Sequence, residues 1–140
     1  MAINGVIASV RAACEGAGLI ASLAGGLTLG RGGRNARLPY AAIRTTGNAP
    51  DPDSGSTGGR GPHVAEVEIA FFAATDDAAE AIADEWAGTL DNVAELPGDT
   101  ITVHSCTLVG REGPVDARDE GLDAPTFFYV TTYQILYDKL

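Results

Sequence analysis

A chain of 140 residues, 45% hydrophobic and 20% charged, has the size of one domain built on one core. Its net charge of −10 excludes a general nucleic-acid binder, because phosphate contacts need a positive field that this chain lacks. No apolar run approaches the roughly 18 residues of a membrane span, and the start, MAINGVIASVRAACEG, lacks the basic and long apolar regions of a signal peptide. Neither membrane insertion nor export is therefore expected.

In chain order, Ile3, Val6, Ile7, Val10 and Cys14 recur at three and four residues, which predicts a helix that Gly16 and Gly18 end. Leu19 to Leu23 can add a further turn before Gly25 and Gly26 free the chain to reverse, and Leu27 to Leu29 can form a short strand. Residues 30–37, GRGGRNAR, read as a flexible basic loop. Pro39 then sets Leu38 extended and opens a strand over Tyr40 to Thr46. The stretch from 47 to 62 is rich in Gly and Pro, holds no apolar residue larger than alanine, and is expected to be a long flexible loop.

Residues 63–90 predict a strand followed directly by a helix. Ala65, Val67, Ile69 and Phe71 recur every second residue; from Thr75 the period lengthens, so that Ile82, Trp86 and Leu90 fall on one stripe. Thr75 suits the N-cap, and Asp76 and Asp77 in the first turn offset the helix dipole. Pro97-Gly98-Asp99 turns the chain into a strand over Ile101 to Val109. Residues 110–125 read as a second flexible loop, and TFFYVTTYQILY closes the chain as a strand covered at least partly on both faces. This order predicts one α+β domain over 1–140: a mainly antiparallel sheet of about four strands, packed against one long helix (75–90) and the N-terminal helix.

Fragments that imitate catalytic motifs do not carry chemistry. Gly25 to Gly32, GGLTLGRG, has phosphate-loop spacing, yet Arg31 stands where the lysine belongs and Gly32 where the magnesium-holding Ser or Thr belongs. The serines of Asp53 to Gly58 lack the nucleophile elbow. His104 and Cys106, two apart on a strand, are expected on one face, but only His63 and Cys14 could complete a metal site and neither is local. Cys14 and Cys106 read as buried free thiols, with a single disulfide as the alternative. No catalytic, cofactor-binding or metal-ligating residue is assigned.

The charge is unevenly placed. Residues 1–62 carry six Arg against Glu15, Asp51 and Asp53, or +3; residues 63–140 carry Arg111, Arg118 and Lys139 against sixteen Asp and Glu, or −13, and the two recover −10. Charges so placed either solvate the surface or let copies pair head to tail, and contacts of the second kind close into rings.

The order of Leu38-Pro39-Tyr40, a Gly-rich stretch, Val67-Glu68-Ile69-Ala70-Phe71-Phe72-Ala73, the acid-rich helix from Thr75 to Leu90, and a late aromatic strand resembles the tail-completion or tail-terminator family of long-tailed bacteriophages. The long stretch after Thr46 and the connection from Arg111 to Pro125 depart from that family's pattern. The resemblance implies a structural virion protein and not an enzyme. It implies a ring, commonly of six copies, at the head-proximal end of the tail tube, which stops tube polymerisation and joins the tube to the neck. The implied partners are further copies of the chain, the tail tube protein and a neck or head-completion protein; DNA only passes through the lumen, and no membrane is involved. The implied location is the virion, after synthesis in the host cytoplasm. Arg31, Arg34, Arg37 and Arg60 are expected on one side of the contact between copies, and Asp76, Asp77, Glu80 and Asp84 on the other. The alternatives are another neck protein (an adaptor or stopper) and a small cytosolic ligand-binding domain or enzyme using a cleft near His104.

Overall fold

The computed structural model describes residues 2–29, 37–50, 63–93, 95–98, 101–116 and 126–139. The elements in order are α1 (Ala2–Gly16), β1 (Leu27–Leu29), β2 (Tyr40–Pro50), β3 (His63–Ala73), α2 (Asp76–Leu90), β4 (Ile101–Asp116) and β5 (Phe127–Lys139). The strands form one sheet in the order β1-β2-β3-β5-β4. β1 runs parallel to β2, and every other pairing is antiparallel. The α+β expectation holds, with a fifth strand and one parallel pair added.

Both helices cover the same face. Val6, Val10 and Cys14 of α1 and Ala79, Ala83, Trp86 and Leu90 of α2 share one buried cluster with the alternate residues of the strands. The period-two pattern of β3 places Ala65, Val67, Ile69 and Phe71 at 0% exposure on that face. Trp86, also at 0%, meets Phe71 edge-on with ring centroids 5.1 Å apart, a geometry the ring quadrupoles favour. Thr131 of β5 is as deeply buried, and its hydroxyl donates to the Ile69 carbonyl at 3.1 Å, which satisfies the polar group that burial would otherwise penalise.

The helix ends follow local chemistry. Thr75 is the N-cap of α2, its hydroxyl accepting from the Ala78 amide at 3.2 Å, and Asp76 and Asp77 occupy the first turn. Gly18, at φ +77°, lets the chain leave α1. Gly25 is a point of backbone approach: its amide donates to the Pro39 carbonyl at 2.9 Å, and a Cβ there would stand 2.1 Å from the Arg37 carbonyl oxygen.

Two strands outrun their sequence-based ends. β2 continues through Gly47 to Pro50 opposite Glu66 to His63 of β3, and β4 continues through Gly110 to Asp116 beside β5. These residues look like loop locally, but a long strand on the neighbouring register supplies their backbone partners. The remainder of the two predicted loops, 51–62 and 117–125, lies outside the described residues. Register shifts between Val103 and Ser105, and again between Leu108 and Gly110, also alter which way β4 faces.

Trp86→Ala is expected to cost about 3–5 kcal/mol through lost burial and the remaining cavity, a fall of roughly 10–20 °C in melting temperature for a domain of this size. Trp86→Phe should cost much less, since it keeps the ring contact and removes an indole N–H that has no partner in the core. Thermal unfolding followed by circular dichroism separates the two.

Candidate interaction surfaces

The acidic residues of α2 occupy its outer side. Asp76, Asp77, Glu80, Asp84 and Glu85 are all exposed, while Ala79, Ala83, Trp86 and Leu90 turn inward. Of the Arg residues expected to face them across a contact between copies, Arg37 is exposed just ahead of β2; Arg31, Arg34 and Arg60 lie outside the described residues. Asp84 already has an in-chain partner: the Arg111 Nη2 donates to its carboxylate at 2.5 Å. Arg111 also donates through Nε to the Tyr129 hydroxyl at 3.0 Å, with its guanidinium carbon 5.1 Å from that ring's centroid. The hydrogen bond to Asp84 holds the Arg111 pKa above its ordinary value. Sequence reasoning missed Arg111, having placed it in a loop, and nothing in the local spacing marks it as a link from β4 to α2.

A second ion pair sits on the face that the helices leave uncovered. Arg44 of β2 stands directly opposite Glu68 of β3, with Nη2 2.9 Å from Oε1. The pair depends on the register of β2 against β3, which local spacing does not give. The same face carries Tyr40 and Phe72 stacked with centroids 4.6 Å apart and planes 8° from parallel, and Phe128 lies 5.6 Å from Phe72. Leu38 and Ala70 pack against this group; Tyr40 is 3% and Phe72 7% exposed, on the face that α1 and α2 do not cover.

The expected proximity of His104 and Cys106 does not occur. Alternation from Val103 sends His104 outward, where its Nε2 meets the Asp138 carboxylate at 2.6 Å, and the register shift between Val103 and Ser105 turns Cys106 inward, fully buried beneath the helices. His63 is buried against Tyr137, with ring centroids 5.4 Å apart. Among the described residues no three His, Cys, Asp or Glu side chains come together as a metal site would require. Of the phosphate-loop imitation, Leu27–Leu29 forms β1, pairing with Ala41 to Ile43 of β2, so the backbone of those three residues serves the sheet; residues 30–32 lie outside the described residues. Asp53 to Gly58 lies outside the described residues.

Cys14 and Cys106 are both free and buried. Burial pushes each thiol from 9.0 up to about 12, with the charge of Cys106 adding to the effect on Cys14 and that of Asp91 to the effect on Cys106. Burial likewise raises the Tyr133 hydroxyl, and the neighbouring Thr131 hydroxyl, which donates to the Ile69 carbonyl, offsets part of that rise.

No protein-family model matches this sequence, and no curated protein matches it. Among solved structures, the chain is similar to one from the virion of a native gene transfer agent particle, with a TM-score of 0.67 at 12% identity, over 96% of this chain and 96% of that chain. At that identity the likeness is one of fold.

The thiols give a prediction with a definite sign. Their raised folded-state values mean that folding favours the protonated form, so their contribution is complete below about pH 9 and is lost as the pH rises toward about 12. Denaturant midpoints should fall across that alkaline range, and less so in Cys14→Ala. At pH 8 a thiol reagent should label both cysteines rapidly only after unfolding.

Proposed function

We propose that this chain is a structural virion protein, a tail terminator (tail completion protein) whose copies form a ring at the head-proximal end of a phage-type tail tube. In this reading the ring stops tube polymerisation and joins the tube to the neck, has no catalytic role, and acts in the virion after assembly in the host cytoplasm. Its partners are other copies of itself, six in the simplest ring, the tail tube protein and a neck or head-completion protein. DNA only traverses the lumen.

The fold likeness to a virion chain over nearly the whole of both chains carries this reading. Two further features support it. Residues 16–50 contain Arg31, Arg34, Arg37 and Arg44 and no carboxylate, whereas α2 presents Asp76, Asp77 and Glu80 outward. A basic segment and an acidic surface on one chain suit a repeating contact between identical copies. In that contact Arg31, Arg34, Arg37 and Arg60 oppose Asp76, Asp77, Glu80 and Asp84, and Asp84 takes part while still bonded to Arg111.

Negative-stain imaging and native mass spectrometry of purified protein at low salt should show small rings, and the rings should bind the ends of purified tail tubes. Charge reversal of both Arg31 and Arg34 should weaken assembly, and added salt should weaken it further. Rings that dock only on the portal side would favour an adaptor or stopper. A stable monomer whose melting temperature rises with a small ligand would instead point to a ligand-binding domain.

A further inference from the structure

Besides the three-residue β1, two stretches of strand edge have no neighbouring strand among the described residues. On β2, β1 covers only Ala41 to Ile43, and no described residue pairs with the outer edge of Arg44 to Pro50. On β4, the outer edge is closed as far as Leu108. Val93 exchanges two backbone hydrogen bonds with Cys106, at 3.1 and 2.8 Å, and the Leu108 amide donates to Asp91 at 2.8 Å. The open edge of β4 therefore begins at Val109 and runs to Val115. We propose that these edges meet between copies, Val109–Val115 of one chain adding antiparallel to Arg44–Pro50 of the next, so that the sheet continues from copy to copy. The proposal rests on the ring reading above and names its contact.

Three observations favour a second copy as the occupant. The stretches of sequence that hold the two edges are opposite in charge: residues 16–50 carry four Arg and no carboxylate, while residues 109–125 carry Glu112, Asp116, Asp119, Glu120 and Asp123 against Arg111 and Arg118. Val109 and Val115, 51% and 39% exposed, are the large hydrophobic side chains left exposed among the described residues, and both lie on this edge. The β4 arm, whose residues Arg111 to Val115 are all exposed, is held by its backbone pairing to β5 and by Arg111, which ties it to Asp84 and Tyr129. Features that oppose edge pairing also lie here, Pro114 without an N–H and the register shifts between Leu108 and Gly110 and between Glu112 and Val115, so a neighbour pairs only in a register that avoids them.

The geometry of the sheet also fits closure. Because β2, β3, β5 and β4 alternate in direction, a head-to-tail repeat sets β4 antiparallel to the next β2. The open edges are staggered: Arg44 to Pro50 lies level with Thr132 to Tyr137 of β5, and Gly110 to Val115 level with Thr132 to Phe128. This stagger is about 15 Å at ~3.3 Å per residue, against about 19 Å across four strands, which corresponds to a strand tilt of about 40°. Sheets close into barrels at tilts of about 35–45°.

Hydrogen–deuterium exchange on the full chain, compared between dilute and assembled protein at low salt, tests this directly. Amides in 44–50 and 109–115 should slow roughly tenfold or more on assembly. The double variant Val109→Glu with Val115→Glu should need roughly a hundredfold more protein to assemble, since it brings carboxylates onto an acidic edge that must desolvate, and should melt within a few degrees of wild type. Assembly without slowed exchange in both segments, or assembly of the folded double variant at wild-type concentration, overturns the edge contact and leaves the ring reading in place. A wild-type chain that stays monomeric at every concentration overturns both.

Discussion

The fold depends on β3. It is hydrogen-bonded along its whole length on both sides, to β2 and to β5, and its inward side chains are completely buried beneath the helices. A strand in that position must carry apolar residues at every second place, and Ala65, Val67, Ile69 and Phe71 meet this requirement. The small Ala65 and the large Phe71 stand at opposite ends of the row. Phe71 meets Trp86, and that edge-on contact links the central strand to the C-terminal half of α2. α2 is only 15 residues long, which leaves it marginal as an isolated helix. Its persistence is therefore a consequence of β3, and so is the placement of the acidic side chains that α2 carries outward.

This explains why β3 and α2 were the most legible part of the sequence. Their periods are set by contacts each residue makes locally with one buried face, and the change at Thr75 coincides with a cap whose hydroxyl reaches Ala78. What the sequence hid depends on distant register. Gly47 to Pro50 and Gly110 to Asp116 have the composition of turns, yet each lies in a strand because a long neighbour pairs with it. His104 illustrates the same limit more sharply. Strict alternation predicts that it shares a face with Cys106, but one extra residue in β4 sends the two side chains to opposite sides of the sheet. For the interaction surface, the outward acids of α2 could be read from helical spacing, and the two ion pairs could not, because Arg44–Glu68 and Arg111–Asp84 join residues 24 and 27 positions apart.

The sheet's two faces solve different problems. Beneath the helices, aromatic and β-branched side chains fill a common core. On the other face Tyr40, Phe72 and Phe128 pack on one another, which shields aromatic area there. Among the described residues the large apolar side chains left exposed are Val109 and Val115, both on β4.

Arg111 shows how magnitudes decide between stability and positioning. Its side chain is 36% exposed and that of Asp84 58%, and ion pairs of such exposure contribute between about 0 and 1 kcal/mol. The pair therefore accounts for little of the domain's stability. Its geometry is more informative than its energy: one guanidinium donates to a helix carboxylate and to a tyrosine hydroxyl of β5, fixing the β4 arm against two elements at once. The place of the arm is set mainly by its backbone pairing to β5, from Gly110 opposite Thr132 to Asp116 opposite Phe127, and Arg111 adds direction to that pairing more than stability. The side chains beside Arg111, from Glu112 to Val115, face solvent.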